Sequence, residues 1–324
     1  MGIGIQRSSI NLKFSDFIQA IDKAIMVMQL QRQSRRIAGG EVNAGMLDLR
    51  IPEKLVLIGD VHGDLKSLFE ILDDIDFEEF LMNTNNKIIF LGDYVDRGND
   101  SIGVLYMICY LKQKYPDSII LMRGNHEAPV EFPFSSHDLP YTILQRYGEY
   151  WGRLIYQKKI LKLFSLLTLA AVVENRLLLV HGGLPTRDVE LISDFRQSIA
   201  TAQDTHITNS LMEEILWNDP WSHSSGKEDW AYSKRGFGRL FGPQISKKWL
   251  KISKTKVVVR GHQPCQGFKV DHKGMIMTLF SCKEPYPNFT AGYVLISANE
   301  LLSIRNGDQL SRHVCKRITH PDLL

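Results

Sequence analysis

Short polar strings that follow apolar runs constrain this chain more than any other feature of its sequence. The apolar runs are rich in Val, Ile and Leu and cover residues 55–58, 88–91, 119–122, 177–180 and 257–259. Runs of this kind, closed by Gly and a polar residue, predict buried strands that end at a site. Ligands in layered α/β proteins bind beyond the carboxyl ends of strands. Five such runs therefore predict five loops that converge on one place.

The polar strings occur in a fixed order: GDVHGD (59–64), GDYVDRG (92–98), RGNHE (123–127), HGG (181–183), RG (235–236) and GHQ (261–263). They offer carboxylate, amide and imidazole donors without sulfur, from Asp60, His62, Asp93, Asn125, His181 and His262. This donor set suits Mn²⁺, Fe or Zn²⁺. Two cations about 3.5–4 Å apart need a shared anionic ligand, and the two oxygens of Asp93 allow it to bridge them. The strings predict two divalent metal ions and a bridging water that loses a proton to become a nucleophile.

Two residues inside the strings are not needed as ligands. If phosphate esters are the substrates, the reaction expels an alkoxide, and an imidazolium that protonates it accelerates the reaction by about 10²–10⁴. We therefore predict His126 as the general acid and Asp96 as the residue that orients it. The alternative is that His126 caps a loop and Asp96 neutralises Arg97.

Guanidinium groups match phosphate geometry and stabilise the charge that builds on a phosphoryl group. Arg97 and Arg235 are the predicted phosphate-binding residues. Arg123 and Arg260 immediately precede ligand strings and compete for this role, although pairing with the body of the protein is the simpler account of both.

Other polar residues and turns receive structural interpretations. The histidines outside the strings are expected at the surface: His137, His206, His223, His272, His313 and His320. The glycines at 59, 63, 92, 98, 124, 182, 183 and 261 predict tight turns with positive φ, where the backbone passes close to metals. Residues 217–220, WNDP, predict a structural turn near the site.

The overall composition excludes several classes of protein. The chain has 324 residues, a formal net charge of +3 and no block of basic residues, so we expect no nucleic-acid partner. The longest apolar stretch, 163–173, is too short to span a bilayer, and no signal peptide is recognisable. Four widely spaced cysteines are typical of reduced thiols. We therefore expect a cytoplasmic protein with no membrane partner.

The apolar periodicity predicts the order of the elements. A helix from Ser15, its possible cap, to about residue 36 should pack on the core, followed by a connector over 38–45. Helical patterns at 64–81 and 100–115 alternate with the first three strands and predict parallel pairing. Residues 169–173 and 177–180 predict an antiparallel hairpin. We expect an α/β protein with two packed sheets, a helical segment over 1–50 and one catalytic domain over 51–324.

The six strings, with their order and intervals, resemble the phosphoprotein phosphatase family, which includes serine/threonine protein phosphatases of types 1 and 2A. The resemblance covers about residues 55–296 and includes WNDP (217–220) and RGFGRLFG (235–242). It implies a calcineurin-like metallophosphoesterase fold, in which two mixed β-sheets form a sandwich flanked by helices. It also implies a dinuclear centre, with one metal held by Asp60, His62 and Asp93 and the other by Asp93, Asn125, His181 and His262. His126 with Asp96 would be the acid dyad, and Arg97 and Arg235 would bind phosphate.

Two segments differ from the eukaryotic family pattern. FSCKEPYPNFTAGYV (280–294) replaces the usual loop after the last core strand and leaves Tyr286 as the candidate for that loop's tyrosine. APVEFPFSSHDL (128–139) also differs. These differences favour an archaeal or bacterial type of member.

The leading functional hypothesis is a metal-dependent protein serine/threonine phosphatase in which a hydroxide bridging two metal ions attacks the phosphomonoester in line. Phosphoproteins are then the expected substrates and manganese the expected metal, with iron or zinc as alternatives. A second hypothesis is a small-molecule phosphoesterase or a dinucleoside-polyphosphate hydrolase. A third is a catalytically silent binding module. The sequence identifies no regulatory subunit.

Overall fold

The computed structural model describes residues 11–186, 194–202, 209–221 and 229–318, without the side chains of 209–210 and 316–318. The surface positions predicted for His206, His223 and His320 lie outside these residues. The helices are α1 (Phe14–Ser34), α2 (Leu65–Asp74), α3 (Phe77–Phe80), α4 (Ser101–Lys114), α5 (Leu139–Tyr147), α6 (Glu149–Ile155), α7 (Leu161–Ser165), α8 (Phe195–Thr201), α9 (Asn209–Trp217), α10 (Pro243–Ser253), α11 (Ala298–Ser303) and α12 (Gly307–Leu310). A π-helical turn, Tyr156–Ile160, joins α6 to α7.

The strands are β1 (Arg36–Ile37), β2 (Gly40–Asn43), β3 (Met46–Leu49), β4 (Lys54–Ile58), β5 (Lys87–Phe90), β6 (Ile119–Leu121), β7 (Ala170–Val173), β8 (Leu177–Val180), β9 (Asp219–Pro220), β10 (Trp230–Tyr232), β11 (Arg239–Phe241), β12 (Val257–Arg260), β13 (Phe268–Asp271), β14 (Ile276–Leu279), β15 (Ala291–Ser297) and β16 (Val314–Ile318). Within the described residues they form an eight-stranded sheet of order β1-β2-β3-β7-β8-β12-β14-β13 and a five-stranded sheet of order β16-β15-β4-β5-β6. A third, small sheet has the order β10-β11-β9. Both large sheets mix parallel and antiparallel pairs, which confirms the predicted sheet types.

Alternation along the strands divides the interior into layers. On β4, Leu55 and Leu57 belong to a core shared with Leu177 and Leu179 of the other sheet. Val56 instead belongs to the core formed with the helices that cover the five-stranded sheet. Successive side chains of a strand point to opposite faces, so one strand contributes to both layers. The result is the predicted sandwich of two sheets with helices outside.

The predicted site strands end at a common edge. β4, β5 and β6 pair in parallel, and so do β8, β12 and β14. The two sheets meet there, because Gly59 N–H donates to Ser281 Oγ at 2.7 Å and Asp60 forms an isolated parallel bridge with Phe280. The antiparallel pairing of β7 with β8 confirms the predicted hairpin.

The N-terminal region differs from the prediction in two respects. Helix α1 begins at Phe14 with Lys13 as its N-cap, so Ser15 is not the cap. The connector predicted over 38–45 instead contains β2, which pairs with β1 and β3 near the edge of the eight-stranded sheet. Gly-rich composition suggested a loop, but edge pairing determines the conformation here. The domain division predicted at residue 50 stays a prediction.

We expect that Ile21→Ala lowers the free energy of unfolding by about 2–5 kcal/mol, because the side chain is fully buried between α1 and the core. The matched control is Met26→Ala in the same helix. Met26 is 54% exposed, so its loss should change stability by no more than about 0.5 kcal/mol. Urea unfolding of both variants measures the difference. Equal effects would contradict the packing of α1 on the core.

Candidate active site

The first group of donors follows β4. His62 Nδ1 donates to the carbonyl of Val95 at 3.1 Å, which leaves Nε2 available as a ligand. That nitrogen lies 3.8 Å from Asp60 Oδ2 and 3.6 Å from Asp93 Oδ2. Asp60 Oδ2 is buried and has no hydrogen-bond partner among the described residues. The three side chains therefore direct possible ligand atoms toward one spot.

The second group combines the loops after β6, β8 and β12. His181 Nδ1 donates to the carbonyl of Leu91 at 2.9 Å, and its Nε2 lies 3.3 Å from Asp93 Oδ1 and 3.1 Å from Asn125 Oδ1. Asn125 Oδ1 also lies 2.8 Å from His262 Nδ1. His262 Nε2 is buried without a hydrogen-bond partner in the described part of the chain. Asp93, His181 and His262 can offer ligand atoms to a single ion.

Asp93 links the two groups, because Oδ2 faces His62 while Oδ1 faces His181. Donor atoms that bind one cation at about 2.1 Å are separated by about 3.0–3.5 Å. The separations here, between 2.8 and 3.8 Å, are close to that range. Buried oxygen and nitrogen donors without sulfur, among them the unpartnered Asp60 Oδ2 and His262 Nε2, fit two divalent cations that share Asp93. The sulfur-free donor set predicted from the strings is thus brought together in space.

Several site residues have left-handed backbone. His62, Asp93, Asp96, Arg97 and His262 have φ between 44° and 71°. Such conformations cost about 1–3 kcal/mol each in non-glycine residues and are retained where the surroundings fix them, commonly at functional sites. The backbone strain therefore lies at the polar residues of the site themselves.

The glycine prediction is correspondingly wrong for most of the eight positions. Only Gly63 and Gly92 among them have positive φ. The others avoid steric overlap: a Cβ at Gly124 would lie 2.2 Å from Asp93 Oδ1, and one at Gly261 would lie 2.2 Å from Asp60 Oδ1. Gly124 and Gly261 thus let the backbone approach the carboxylates of Asp93 and Asp60 closely.

Sequence reasoning missed Glu127, although it ends the RGNHE string. Its carboxylate accepts from the backbone N–H groups of Asp93 and Tyr94, both at 2.9 Å, and of Gly124 at 3.0 Å. Burial and the nearby Asp93 raise the pKa of Glu127 to about 8, while the three donors favour its ionised form. Glu127 thus fixes the turn that carries Asp93 to the loop that carries Asn125.

Burial and neighbouring charges shift the pKa values of the central residues. Burial, followed by the proximity of Asp93, raises the pKa of Asp60 to about 6. Burial would also raise the pKa of Asp93, but His181 and His126 outweigh it and hold that pKa well below its usual range. Burial lowers the pKa of His62 to about 3, which keeps this imidazole neutral. Neutral imidazoles and ionised carboxylates are the forms that bind cations.

The predicted dyad is present in the geometry. His126 Nδ1 lies 2.6 Å from Asp96 Oδ2, and both side chains are buried. Burial would raise the pKa of Asp96, but hydrogen bonds from His126 and His137 hold it well below its ordinary value. Arg97 contacts His126 and not Asp96 among the described contacts, which argues against the alternative that Asp96 neutralises Arg97.

Two surface predictions for histidines are wrong. His137 Nδ1 lies 2.8 Å from Asp96 Oδ2, and its Nε2 lies 2.7 Å from the Tyr156 hydroxyl. His272 is buried, with Nδ1 2.7 Å from Ser246 Oγ. Tertiary contacts that no local pattern encodes determine both positions. His313 is partly exposed and lies 3.9 Å from Glu300.

The Arg97 guanidinium lies at the centre of the site. It donates from Nη1 to His62 Nε2 at 3.3 Å and from Nη2 to His126 Nε2 at 3.1 Å. It also donates to the Tyr286 hydroxyl, which places the replaced loop, 280–294, against the site. Tyr286 was only a candidate in the sequence, and its position next to Arg97 is a finding of the structure.

The other three arginines all pair with carboxylates, and for Arg123 and Arg260 this agrees with the simpler account, in which they pair with the body of the protein. Arg235 Nε pairs with Asp219 Oδ2 at 3.0 Å, and Asp219 Oδ1 lies 4.0 Å from His262 Nε2. Arg260 is buried and pairs with the same Asp219 at 2.9 Å, and Arg123 pairs with Glu131 at 2.8 Å. Asp219, in the WNDP string predicted as a structural turn, is therefore a residue that sequence reasoning missed, because it connects Arg235 to the second ligand group.

Comparison with known proteins now identifies the family. Residues 53–266 match the family model for calcineurin-like phosphoesterases, and the chain belongs to this family. Membership implies divalent metal ions, which the donor groups fit. The predicted fold class is confirmed.

Among curated proteins, the chain is similar to fungal serine/threonine-protein phosphatases, which confirms the resemblance stated from the strings. It is 30% identical to phosphatase T of Schizosaccharomyces pombe over 87% of this chain and 56% of that protein. It is 35% identical to ppe1 of the same yeast (66% and 65%) and 32% identical to SIT4 of Candida albicans (74% and 71%). The chain thus covers 56% of the length of phosphatase T and 65% of the length of ppe1. The archaeal or bacterial type stays a prediction.

Solved structures support the fold. A Saccharomyces cerevisiae protein serine/threonine phosphatase with similarity to human phosphatase PP5 aligns with a TM-score of 0.64 and 23% identity, over 96% of this chain and 92% of that one. A cold-active protein-tyrosine phosphatase from Shewanella aligns with a TM-score of 0.59 and 16% identity, over 78% and 77%. Within the described residues, none of the helices is long and apolar enough to cross a bilayer.

We expect metal ions to stabilise the protein more at about pH 7.5 than at about pH 5, because ligands must be deprotonated to bind. The folded-state pKa of Asp60, about 6, lies above its ordinary value of 3.8. Its buried charge therefore destabilises the metal-free fold above pH 6, and this cost disappears as the pH falls. A cation offsets the cost only above pH 6, and binding should weaken about tenfold one pH unit below the pKa. Tm with and without Mn²⁺ at the two pH values measures the effect.

The control is Asp48→Asn, which removes a half-exposed carboxylate paired with Arg196 and leaves the donor groups intact. This variant should retain the pH-dependent increase in Tm, and Asp60→Asn should lose most of the metal-induced increase at both pH values. An equal increase at both pH values in the unmodified chain would contradict the role of Asp60.

Proposed function

We propose that this chain is a metal-dependent protein serine/threonine phosphatase that hydrolyses phosphomonoesters. The observation that carries the proposal is Asp93, whose two oxygens face two separate donor groups beside the His126–Asp96 pair. The similarity to three fungal serine/threonine-protein phosphatases supports phosphoproteins as substrates. Two-metal sites of this kind are typical of phosphatases.

The donor groups divide between two ions in this proposal. Asp60, His62 and Asp93 would hold one, and Asp93, Asn125, His181 and His262 the other. Divalent ions supply Lewis-acid stabilisation of phosphoryl charge and lower the pKa of water. Manganese is the expected metal, with iron or zinc as alternatives, because oxygen and imidazole donors accept all three.

His126 acts as the general acid and Asp96 as its orienting partner. Arg97 can only donate, so its contact makes Nε2 of His126 an acceptor and leaves the ring proton on Nδ1, facing Asp96. A phosphoryl group has oxygens that bind guanidinium more strongly than a neutral imidazole does. Phosphate binding would therefore draw Arg97 off His126. The freed Nε2 could take up a proton from solvent, and the imidazolium so formed could pass that proton to the leaving oxygen and return to the neutral Nδ1–H form.

Arg97 and Arg235 are the proposed phosphate-binding residues. Arg97 is held beside the dyad by the Tyr286 hydroxyl, and Arg235 is held beside the second donor group by Asp219. Two guanidinium groups that approach from different loops can stabilise charge on the phosphoryl oxygens. The cytoplasmic location and the lack of a nucleic-acid partner stay predictions.

Two other functions receive less support. No described feature favours a dinucleoside polyphosphate or another small phosphoester over a phosphoprotein. A silent binding module would gain nothing from burying the carboxylates of Asp60 and Asp93 side by side, because their proximity is costly without cations.

The direct test is hydrolysis of phosphoserine, phosphothreonine and phosphotyrosine peptides and of diadenosine tetraphosphate by the Mn²⁺-loaded chain. We expect the highest kcat/KM on phosphoserine or phosphothreonine. His126→Asn should lower kcat on these peptides by about 10²–10⁴ while metal content stays unchanged. His313→Ala, a histidine change beside Glu300, is the matched control and should leave the rates unaltered.

The proposal fails if the metal-loaded chain hydrolyses none of the phosphopeptides. Higher kcat/KM on diadenosine tetraphosphate would instead favour the small-molecule hypothesis, and higher kcat/KM on phosphotyrosine would reject the serine/threonine assignment.

A further inference from the structure

We propose that His137 is a positioning residue for the reaction: it holds the Asp96 carboxylate and, through it, the His126 imidazole in the orientation that protonates the leaving oxygen. This inference rests on the proposed function, in which His126 is the general acid. It adds a second imidazole, and the hydroxyl of Tyr156, to the dyad.

The Asp96 carboxylate accepts four hydrogen bonds, three from residues 137–139 and one from the His126 ring. Oδ1 accepts from the backbone N–H groups of Asp138 and Leu139, at 3.0 and 2.9 Å. Oδ2 lies 2.6 Å from His126 Nδ1 and 2.8 Å from His137 Nδ1. Without His137, Oδ2 keeps a single donor, and the carboxylate can tilt about the Oδ1 contacts. The ring of His126 would tilt with it.

The hydrogen bonds have one consistent direction. An ionised carboxylate only accepts, so both imidazoles present Nδ1–H to Asp96. A neutral His137 then accepts at Nε2, where the Tyr156 hydroxyl lies 2.7 Å away and can donate. Tyr156 is the first residue of the π-helical turn, a rare conformation that is frequent at functional sites. Tyr156 thus selects the tautomer of His137 that Asp96 requires.

Packing fixes the same rings. The Phe134 ring lies 4.5 Å from the His126 ring and 5.5 Å from the His137 ring, between centroids. The His137 side chain is only 11% exposed. Phe134 and His137 both belong to 128–139, the segment that differs from the eukaryotic family pattern. Residues of the segment 128–139 therefore pack directly around the His126–Asp96 pair.

A purely structural role would give a different result. If His137 only anchored its segment, its loss would slow all substrates equally or change stability alone. If it positions the acid, its loss matters only where the leaving oxygen is basic and needs a proton. Dinitrophenyl, para-nitrophenyl and phenyl phosphates provide leaving groups of increasing basicity.

The experiment compares kcat and KM of the Mn²⁺-loaded full chain and its variants on these three esters. We expect His137→Ala to lower kcat on phenyl phosphate by about 10–100-fold, as a misplaced catalytic group does. The same variant should change kcat on dinitrophenyl phosphate by less than about twofold, with KM unchanged on both, since the acid acts on the leaving group and not in binding. His137→Asn, whose amide can donate in place of Nδ1–H, should recover most of the loss, and Tyr156→Phe should show a smaller loss with the same selectivity.

A second readout is independent of turnover. In metal-free protein labelled with ¹⁵N-histidine, NMR should show two downfield N–H protons, from His126 and His137, on Asp96. His137→Ala should remove one and shift the other, whereas the control His313→Ala should leave both in place. Equal losses of kcat on all three esters, or no loss, would overturn the inference. If His126→Asn itself shows no leaving-group selectivity, the proposed acid role fails instead, which separates the two outcomes.

Discussion

The position of one carboxylate, Asp93, between two groups of donors is the constraint on which the rest of the site depends. Its two oxygens face ligands from different sheets, so both sheets must deliver their strand ends to the same few ångströms. The parallel strands on each side and the Gly59–Ser281 contact between sheets meet this requirement. Glu127 fixes the turn at Asp93 by accepting hydrogen bonds from backbone N–H groups. The left-handed φ of Asp93 is a conformation that its surroundings impose.

The same charge that makes the centre suitable for cations makes it costly alone. Asp60 and Asp93 are buried within reach of one set of imidazoles, and burial raises the pKa of Asp60 to about 6. Buried, unpaired charge is destabilising, and a divalent ion offsets it by direct ligation. Metal binding is therefore expected to contribute to stability as well as to chemistry. The His126–Asp96 pair does not carry this cost, because Asp96 accepts hydrogen bonds from two backbone N–H groups and two imidazoles.

The sequence singled out the candidate ligands because each lies within four residues of the end of a strand. A polar residue that ends an apolar run must lie at the edge of the sheet, so Asp60 and His181 could be placed without knowing the fold. Local pattern could not place His137, because its partner Asp96 is 41 positions away and the contact depends on where the segment after β6 returns. Asp219 was missed for the same reason, although WNDP is visible as a string. The prediction of positive φ for the site glycines was also wrong for most of them. The strained backbone belongs to His62 and the other polar residues, while most of the site glycines leave space for neighbouring atoms.

The central claim is that two metal ions share Asp93. Anomalous diffraction from crystals of the full chain grown with Mn²⁺ tests it most directly. We predict two anomalous peaks about 3.5–4 Å apart, one on each side of the Asp93 carboxylate. One peak would flank His62 and Asp60, and the other His181, His262 and Asn125. A single peak, or two peaks that do not share Asp93, would contradict the account.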